Sequence, residues 1–223
     1  MKNDERHKYK LYGRKRSRSL NIQSQYIIKN LFPVYQLKDE SIYSNHHDIE
    51  FEIGFGHGEH LLWQAENNKD KLYIGAEPFV SGVISLIKKI HEKQIKNIKI
   101  SSTNAINILD NLADDCLSSV YILFPDPWPK KRHHKRRIIN PDNIDKLHRV
   151  LKNDGKILIA SDDKGYIYSI LFNFIRDHRF SWICEKSSDF TKKPYLSTQS
   201  KYEKKAIKSN QNPVYLTFKK ICL

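Results

Sequence analysis

Hydrophobic positions along this chain fall into short runs separated by helical patterns. Seven runs have strand character: IEFEI (49–53), LYIGAE (72–77), NIKISST (97–103), SVYILF (119–124), KILIAS (156–161), SWICEK (181–186) and VYLTFKKI (214–221). The first five are short and apolar, as expected of parallel strands buried on both faces. Between them stand EHLLWQAEN (59–67), VSGVISLIKKIHEKQ (80–94), AINILDNL (105–112), DNIDKLHRVLK (142–152) and YIYSILFNFIRDH (166–178), all of helical pattern. Asp154-Gly155 is the expected helix stop before the fifth strand. Five strand–helix repeats, then two strands with no helical pattern between them, predict an α/β fold. Its sheet has seven strands, mostly parallel, with helices on both faces and an antiparallel edge strand. A short apolar segment, YIIKNLFPVY (26–35), leads in. Residues 1–25 read as a basic, flexible tail and 26–223 as one domain.

Charge changes the picture more than length does. The 223 residues carry 39 Lys and Arg against 25 Asp and Glu, a net +14. Residues 1–20 supply +6 and residues 128–137 (WPKKRHHKRR) another +6, leaving +2 for all the rest. Clustering of this kind points to a polyanion, and nucleic acid fits better than a membrane surface. Abundant aliphatic and aromatic residues exclude a disordered chain, and 8 Gly with 8 Pro exclude a Gly/Pro repeat. No apolar run approaches the ~18 residues of a membrane span. The opening MKNDERHKYK lacks the apolar core of a secretory signal, so a cytoplasmic location is expected. Cys116, Cys184 and Cys222 are far apart, and His46-His47 and His133-His134 are adjacent pairs, so no metal is expected.

The first strand runs through Glu52 into Gly54-Phe55-Gly56-His57-Gly58, and a helical pattern follows at once. Such a turn lets backbone approach a ligand at the positive end of a helix. The dinucleotide fingerprint would need glycine at 59, where Glu stands. A carboxylate at 52 would repel a pyrophosphate but suits a ligand bearing an ammonium and a sulfonium. That favours S-adenosylmethionine over a nicotinamide dinucleotide. Glu77 ends the second strand, where an acid can accept both ribose hydroxyls. Asn104 ends the third, where its amide suits an adenine edge or, equally, a helix N-cap.

The fourth strand ends in Phe124-Pro125-Asp126-Pro127-Trp128-Pro129. Proline stops the ladder, and residues before proline are expected to be extended, giving a stiff corner that presents Asp126 and Trp128. Lys130 to Arg137 then form a basic strip at the mouth of the cofactor pocket. Ser200-Lys201-Tyr202-Glu203 reads either as a helix capping box or as part of a site.

The glycine loop with its preceding Glu, the FPDPWPKKRHHKRR block and the late SKYEKKA segment resemble the bacterial tRNA (guanine-N7)-methyltransferase family, over roughly residues 49–220. The resemblance implies a Rossmann-like class I methyltransferase using S-adenosylmethionine without a metal and releasing S-adenosylhomocysteine. It implies that Glu52, Gly54, Gly56, Glu77, Asn104 and Asp126 hold the cofactor, with Asp126 also catalytic. Lys130, Asp162, Ser200, Lys201, Tyr202 and Glu203 would bind the substrate. Arg132, His133, His134, Lys135, Arg136 and Arg137 would contact RNA. Asn104 stands where some relatives have Asp, and Ser200 where Thr is usual. The expected partner is tRNA, methylated at variable-loop guanine 46; no membrane or obligate protein partner is expected, and the protein would be a monomer or homodimer. Three other readings stand beside this one: a class I methyltransferase with another substrate, a non-enzymatic RNA-binding module, and a nicotinamide-dependent oxidoreductase. Intact acids and glycines weigh against the second, and Glu59 against the third.

Overall fold

Strands β1 (Ile49–Ile53), β2 (Leu72–Ala76), β3 (Ile98–Ser101), β4 (Leu117–Leu123), β5 (Leu151–Ser161), β6 (Phe180–Trp182) and β7 (Val214–Lys220) make one sheet in the order β3-β2-β1-β4-β5-β7-β6. They are seen in a computed structural model that describes residues 19–38, 48–194, 201–208 and 212–222. Strands β1 to β5 pair in parallel. The antiparallel strand is β7, and it lies one place in from the edge, between β5 and the three-residue β6. Strand order reverses at β1/β4, which makes the crevice beyond the carboxyl ends of those strands the natural ligand position.

Helices α2 (Phe32–Tyr35), α3 (Glu59–Asn67) and α4 (Val80–Glu92) cover one face of the sheet, and α1 (Ile22–Tyr26), which buries no residue, leads into them. Helices α5 (Ala105–Asn111), α6 (Pro141–Val150) and α7 (Lys164–Ile175) cover the other. Each face has its own apolar core. Ile49, Phe51 and Ile53 point to the α5–α7 side, whereas Phe55, Leu61, Val83, Leu86 and Ile90 pack on the α3–α4 side.

Several expectations shift. A capped helix begins at Ile22, its N-cap Asn21 accepting from Ser24 N at 2.8 Å, so residues 21–25 belong to the lead-in rather than to a tail. That lead-in passes through a π-helical segment, Ile27–Leu31, and ends with Leu37 N donating to Ile100 O at the β3 edge. Helix α6 stops at Val150, four residues before Asp154. Asp154 (φ +62) instead turns the chain inside β5, where the pairing with β4 shifts register. Short helices α8 (Ser188–Thr191) and α9 (Lys201–Lys208) stand between β6 and β7, where no helical pattern was expected. Residues 1–18 of the basic tail lie outside the described residues.

β1 also differs from a plain apolar run. Its α3-facing positions are Glu50 and Glu52, only 4% and 2% exposed. Lys71 Nζ donates to Glu50 at 2.8 Å and Tyr121 Oη donates to its other oxygen at 2.9 Å. These bonds stand in for the water that Glu50 lost, and His60 Nδ1, 2.8 Å from Glu52, does the same for its neighbour, the condition for burying such groups at all.

Candidate functional site

The loop after β1 needs three left-handed residues in five, and glycine supplies all of them: Gly54 (φ +75), Gly56 (φ +57) and Gly58 (φ +76). Above Gly54 a Cβ would meet nothing within 4 Å, so that point of the backbone faces open space. The opposite holds on α4, where a Cβ at Gly82 would stand 2.1 Å from Gly56 O. The helix can rest on the loop only because residue 82 has no side chain.

Two carboxylates frame the loop. Glu77 follows β2, and its oxygens accept from Gly56 N at 2.8 Å and Phe79 N at 2.9 Å. Burial raises its pKa; the two N–H donors work against that rise, and the negative charges of Glu52 and Asp126 add to it. Glu52 is buried at the end of β1 and hydrogen-bonded to His60 Nδ1 at 2.8 Å, with the His60 ring 4.7 Å from that of Tyr121. Asn104 is the N-cap of α5, its Oδ1 accepting from Ile106 N at 3.0 Å, so a ligand contact would come from its NH2 group. Open backbone at Gly54 and two flanking carboxylates fit a cationic, diol-bearing nucleoside such as S-adenosylmethionine. They would repel a phosphate.

The corner after β4 departs from expectation. Phe124 (φ +53) and Trp128 (φ +45) both precede prolines, yet both are left-handed rather than extended. Non-glycine residues hold such angles only where the surroundings impose them, and sites of this kind cluster at functional loops. Here Phe124 N donates to Ala160 O at 2.8 Å, tying the end of β4 to β5. Asp126 and Asp162 each stand two residues beyond that tie. Asp126 is exposed, and Asp162 is half-buried beside Asp163, the N-cap of α7.

The basic strip coils into a 3-10 helix, Lys131–Arg136, seated on Trp128. The His133 ring meets the indole edge-on at 5.8 Å, and the Arg136 guanidinium lies over it at 4.9 Å. Lys130, Lys131, Arg132 and Lys135 are exposed, while His134 is half-buried. Desolvation and the cations of Arg136, Lys130 and Lys135 push His133 below the ordinary histidine range. Arg137 is placed differently from its neighbours. It is only 6% exposed, its Nε donates to Pro127 O at 2.8 Å, and its guanidinium lies 4.8 Å over the Tyr166 ring. Its guanidinium is thus held between the Asp126 corner and α7 rather than on the exposed face of the strip.

In the late segment, Ser200 lies outside the described residues, and Lys201 and Tyr202 are described in backbone only. Glu203 is buried and accepts from Lys193 Nζ and Tyr215 Oη, each at 2.9 Å. Burial, then the charge of Glu203 and the bond to it, raise the Tyr215 pKa. Because Tyr215 pairs with Ala160, Glu203 is tied through it to the end of β5. Among the described residues, no cluster of three His, Cys, Asp or Glu could hold a metal ion, and no helix is long and apolar enough to cross a membrane.

Sequence reasoning missed His60, Gly82 and Tyr166. Two signals were available: His60 and Gln64 share one helix face beside Glu52, and a glycine inside a helical pattern often marks close packing.

A family model described as "Putative methyltransferase" matches residues 46–216. The tRNA (guanine-N(7)-)-methyltransferase of Zymomonas mobilis is 35% identical over 218 residues, covering 95% of this chain and 94% of that one. Its namesake in Agrobacterium fabrum is 35% identical over 217 residues, covering 93% of each. Among solved structures, a SAM-dependent O-methyltransferase of Thermotoga maritima superposes with a TM-score of 0.52 at 14% identity, covering 94% of this chain and 69% of that one. At that identity the likeness speaks to the fold.

Proposed function

The chain belongs to the tRNA (guanine-N(7)-)-methyltransferase family, and on that premise we propose that it methylates N7 of the variable-loop guanine at tRNA position 46. The observation that carries the reading is the meeting of the Gly54–Gly58 loop, Glu77 and the Asp126 corner at the switch point of the sheet. Glu52, Gly54, Gly56, Glu77 and Asn104 would hold S-adenosylmethionine, with Glu77 toward the ribose hydroxyls and Asn104 toward the adenine through its NH2. Bound there, the cofactor supplies an electrophilic sulfonium methyl.

The chain's own residues have a modest chemical task. Guanine N7 offers an in-plane lone pair, so no general base is needed. The product ring is cationic. Asp126 would accept from the guanine N1–H and amino group, aim N7, and stabilise the developing charge. Asp162, just past the end of the neighbouring strand, would share that work. Glu203 already bonds Tyr215 and Lys193, so its part is to fix α9 beside β5. Arg132, Lys135, Lys130 and Lys131 would position the tRNA backbone, and the target base must be exposed or unstacked to reach the pocket.

The test is incubation with labelled S-adenosylmethionine and unmodified tRNA, then digestion and identification of the modified nucleoside and its position. 7-Methylguanosine at position 46 is expected; none at all, or the same nucleoside elsewhere, sinks the reading or its positional part. Asp126→Asn, which keeps shape and removes charge, is expected to cut turnover at least roughly 10-fold with tRNA affinity unchanged.

A further inference from the structure

Of the eight arginine, lysine and histidine side chains from Lys130 to Arg137, Arg137 alone is buried. We propose that Arg137 is a positioning residue for the methyl transfer, locking the Asp126 corner to the start of α7 so that Asp126 and Asp162 keep a fixed separation. The proposal rests on the methyltransferase reading above.

The lock has two ends. At one, Nε donates to Pro127 O at 2.8 Å, on the residue between Asp126 and Trp128. At the other, the guanidinium lies 4.8 Å over the ring of Tyr166, which is fully buried in the first turn of α7. Tyr166 is itself held on two sides. Its backbone N donates to Asp163 Oδ1 at 2.7 Å, and its hydroxyl accepts from Ile139 N at 3.2 Å. Burial foremost raises the Tyr166 hydroxyl to about 12, so it stays protonated at neutral pH. The chain of contacts therefore runs from the Asp126 corner through Arg137 and Tyr166 to Asp163, the neighbour of Asp162.

The corner needs such a lock. Its two left-handed residues, Phe124 and Trp128, persist only if their surroundings hold them. The Pro127 carbonyl lies between them, next to Trp128. Arg136 and His133 brace Trp128 from the outer side, and Arg137 holds the backbone from the inner side. A guanidinium suits this task because it is planar, always charged and can donate and stack at once; a lysine ammonium cannot do both.

The test uses the full-length protein with Arg137→Lys and Arg137→Ala, beside Arg132→Ala. Turnover, KM for tRNA, tRNA affinity across a salt series and cofactor affinity are measured well below each melting temperature. Emission from Trp128, isolated by Trp63→Phe and Trp182→Phe, reports the corner without any turnover. Arg137→Lys is expected to lose turnover roughly 10- to 100-fold, the scale of a misplaced reacting group. Its tRNA affinity stays within about twofold, its salt slope is unchanged, and Trp128 emission shifts. Arg132→Ala, at an exposed tRNA-binding position, is expected to give the contrasting pattern: weaker tRNA affinity and a shallower salt slope, with Trp128 emission unmoved. If Arg137→Lys behaves as wild type while Arg137→Ala flattens the slope by about one unit, Arg137 is a phosphate contact and the proposal falls. It falls equally if Trp128 emission and turnover are both unmoved. Should Arg137→Ala fail to fold, Arg137→Lys decides. A wild-type protein that makes no 7-methylguanosine overturns the functional reading instead, and Trp128 emission still reports whether Arg137 holds the corner.

Discussion

Replacing Gly82 with alanine sets two effects of opposite sign against each other. Gly82 lies in the first turn of α4, and alanine in a helix is favoured over glycine by up to about 1 kcal/mol. The added Cβ, however, would stand 2.1 Å from Gly56 O and 3.0 Å from Gly56 C. An ordinary carbon–oxygen contact is about 3.3 Å or more, so roughly 1 Å must be opened. The obstructing atom is backbone, so no rotamer change relieves it. The peptide that must move belongs to Gly56, whose N–H is bonded to Glu77 at 2.8 Å. Overpacking of this kind costs about 1–3 kcal/mol and outweighs the propensity gain. We expect Gly82→Ala to be less stable than wild type by about 1–2 kcal/mol in urea denaturation, with S-adenosylmethionine affinity down at least about tenfold by calorimetry. Gly54→Ala gives a comparison: in the free protein its Cβ meets open space and the left-handed backbone alone is penalised, by about 1–2 kcal/mol, while in the complex that Cβ would enter the space proposed for the cofactor. A Gly82→Ala protein that gained stability and bound cofactor normally would refute the close-approach argument.

Three further outcomes follow. Because burial raises the Glu77 pKa and only the carboxylate accepts two ribose hydroxyls, cofactor affinity should hold above that raised value and fall as pH drops through it, starting above the usual carboxylate range. Folded protein binds the extra proton in that window, so Glu77's contribution to stability declines as pH rises through it; Glu77→Gln should flatten both profiles, and an unchanged affinity profile would exclude Glu77 from the site. In a double-mutant cycle, His60→Ala and Glu52→Gln should couple by about 1–3 kcal/mol, because each removes the partner of a buried group; additive effects in chemical denaturation would show that the bond is idle. Arg132→Ala with Lys135→Ala should reduce the slope of log affinity against log salt by about two units without touching cofactor affinity, and filter binding across salt concentrations reads this directly.

Elements and their order were legible because periodicity and turn chemistry are local. Helix α3 matches its predicted span, residue for residue, and the strands β1, β2 and β7 begin where expected. Glycines at 54, 56 and 58 sit in left-handed backbone, as a ligand-facing loop requires. Glu77 and Asp126 follow their strands and therefore share one edge of a parallel sheet. That consequence of chain direction needs no coordinates.

Tertiary contacts decided the rest. Arg132 and Arg137 are the same residue type in the same run, yet one is exposed and the other is sealed between Pro127 and Tyr166. Glu203 is buried because Lys193 and Tyr215 reach it from other elements. Glu52 rests on His60, eight residues on, and the polar face of β1 survives burial through Lys71 and Tyr121. The position of β7 between β5 and β6 is likewise a matter of pairing partners at a distance. Sequence by itself determined which segments become strands and helices, and which acids stand at strand ends. Only the folded structure decided which charges meet solvent, because a buried polar group is defined by partners that chain spacing does not specify.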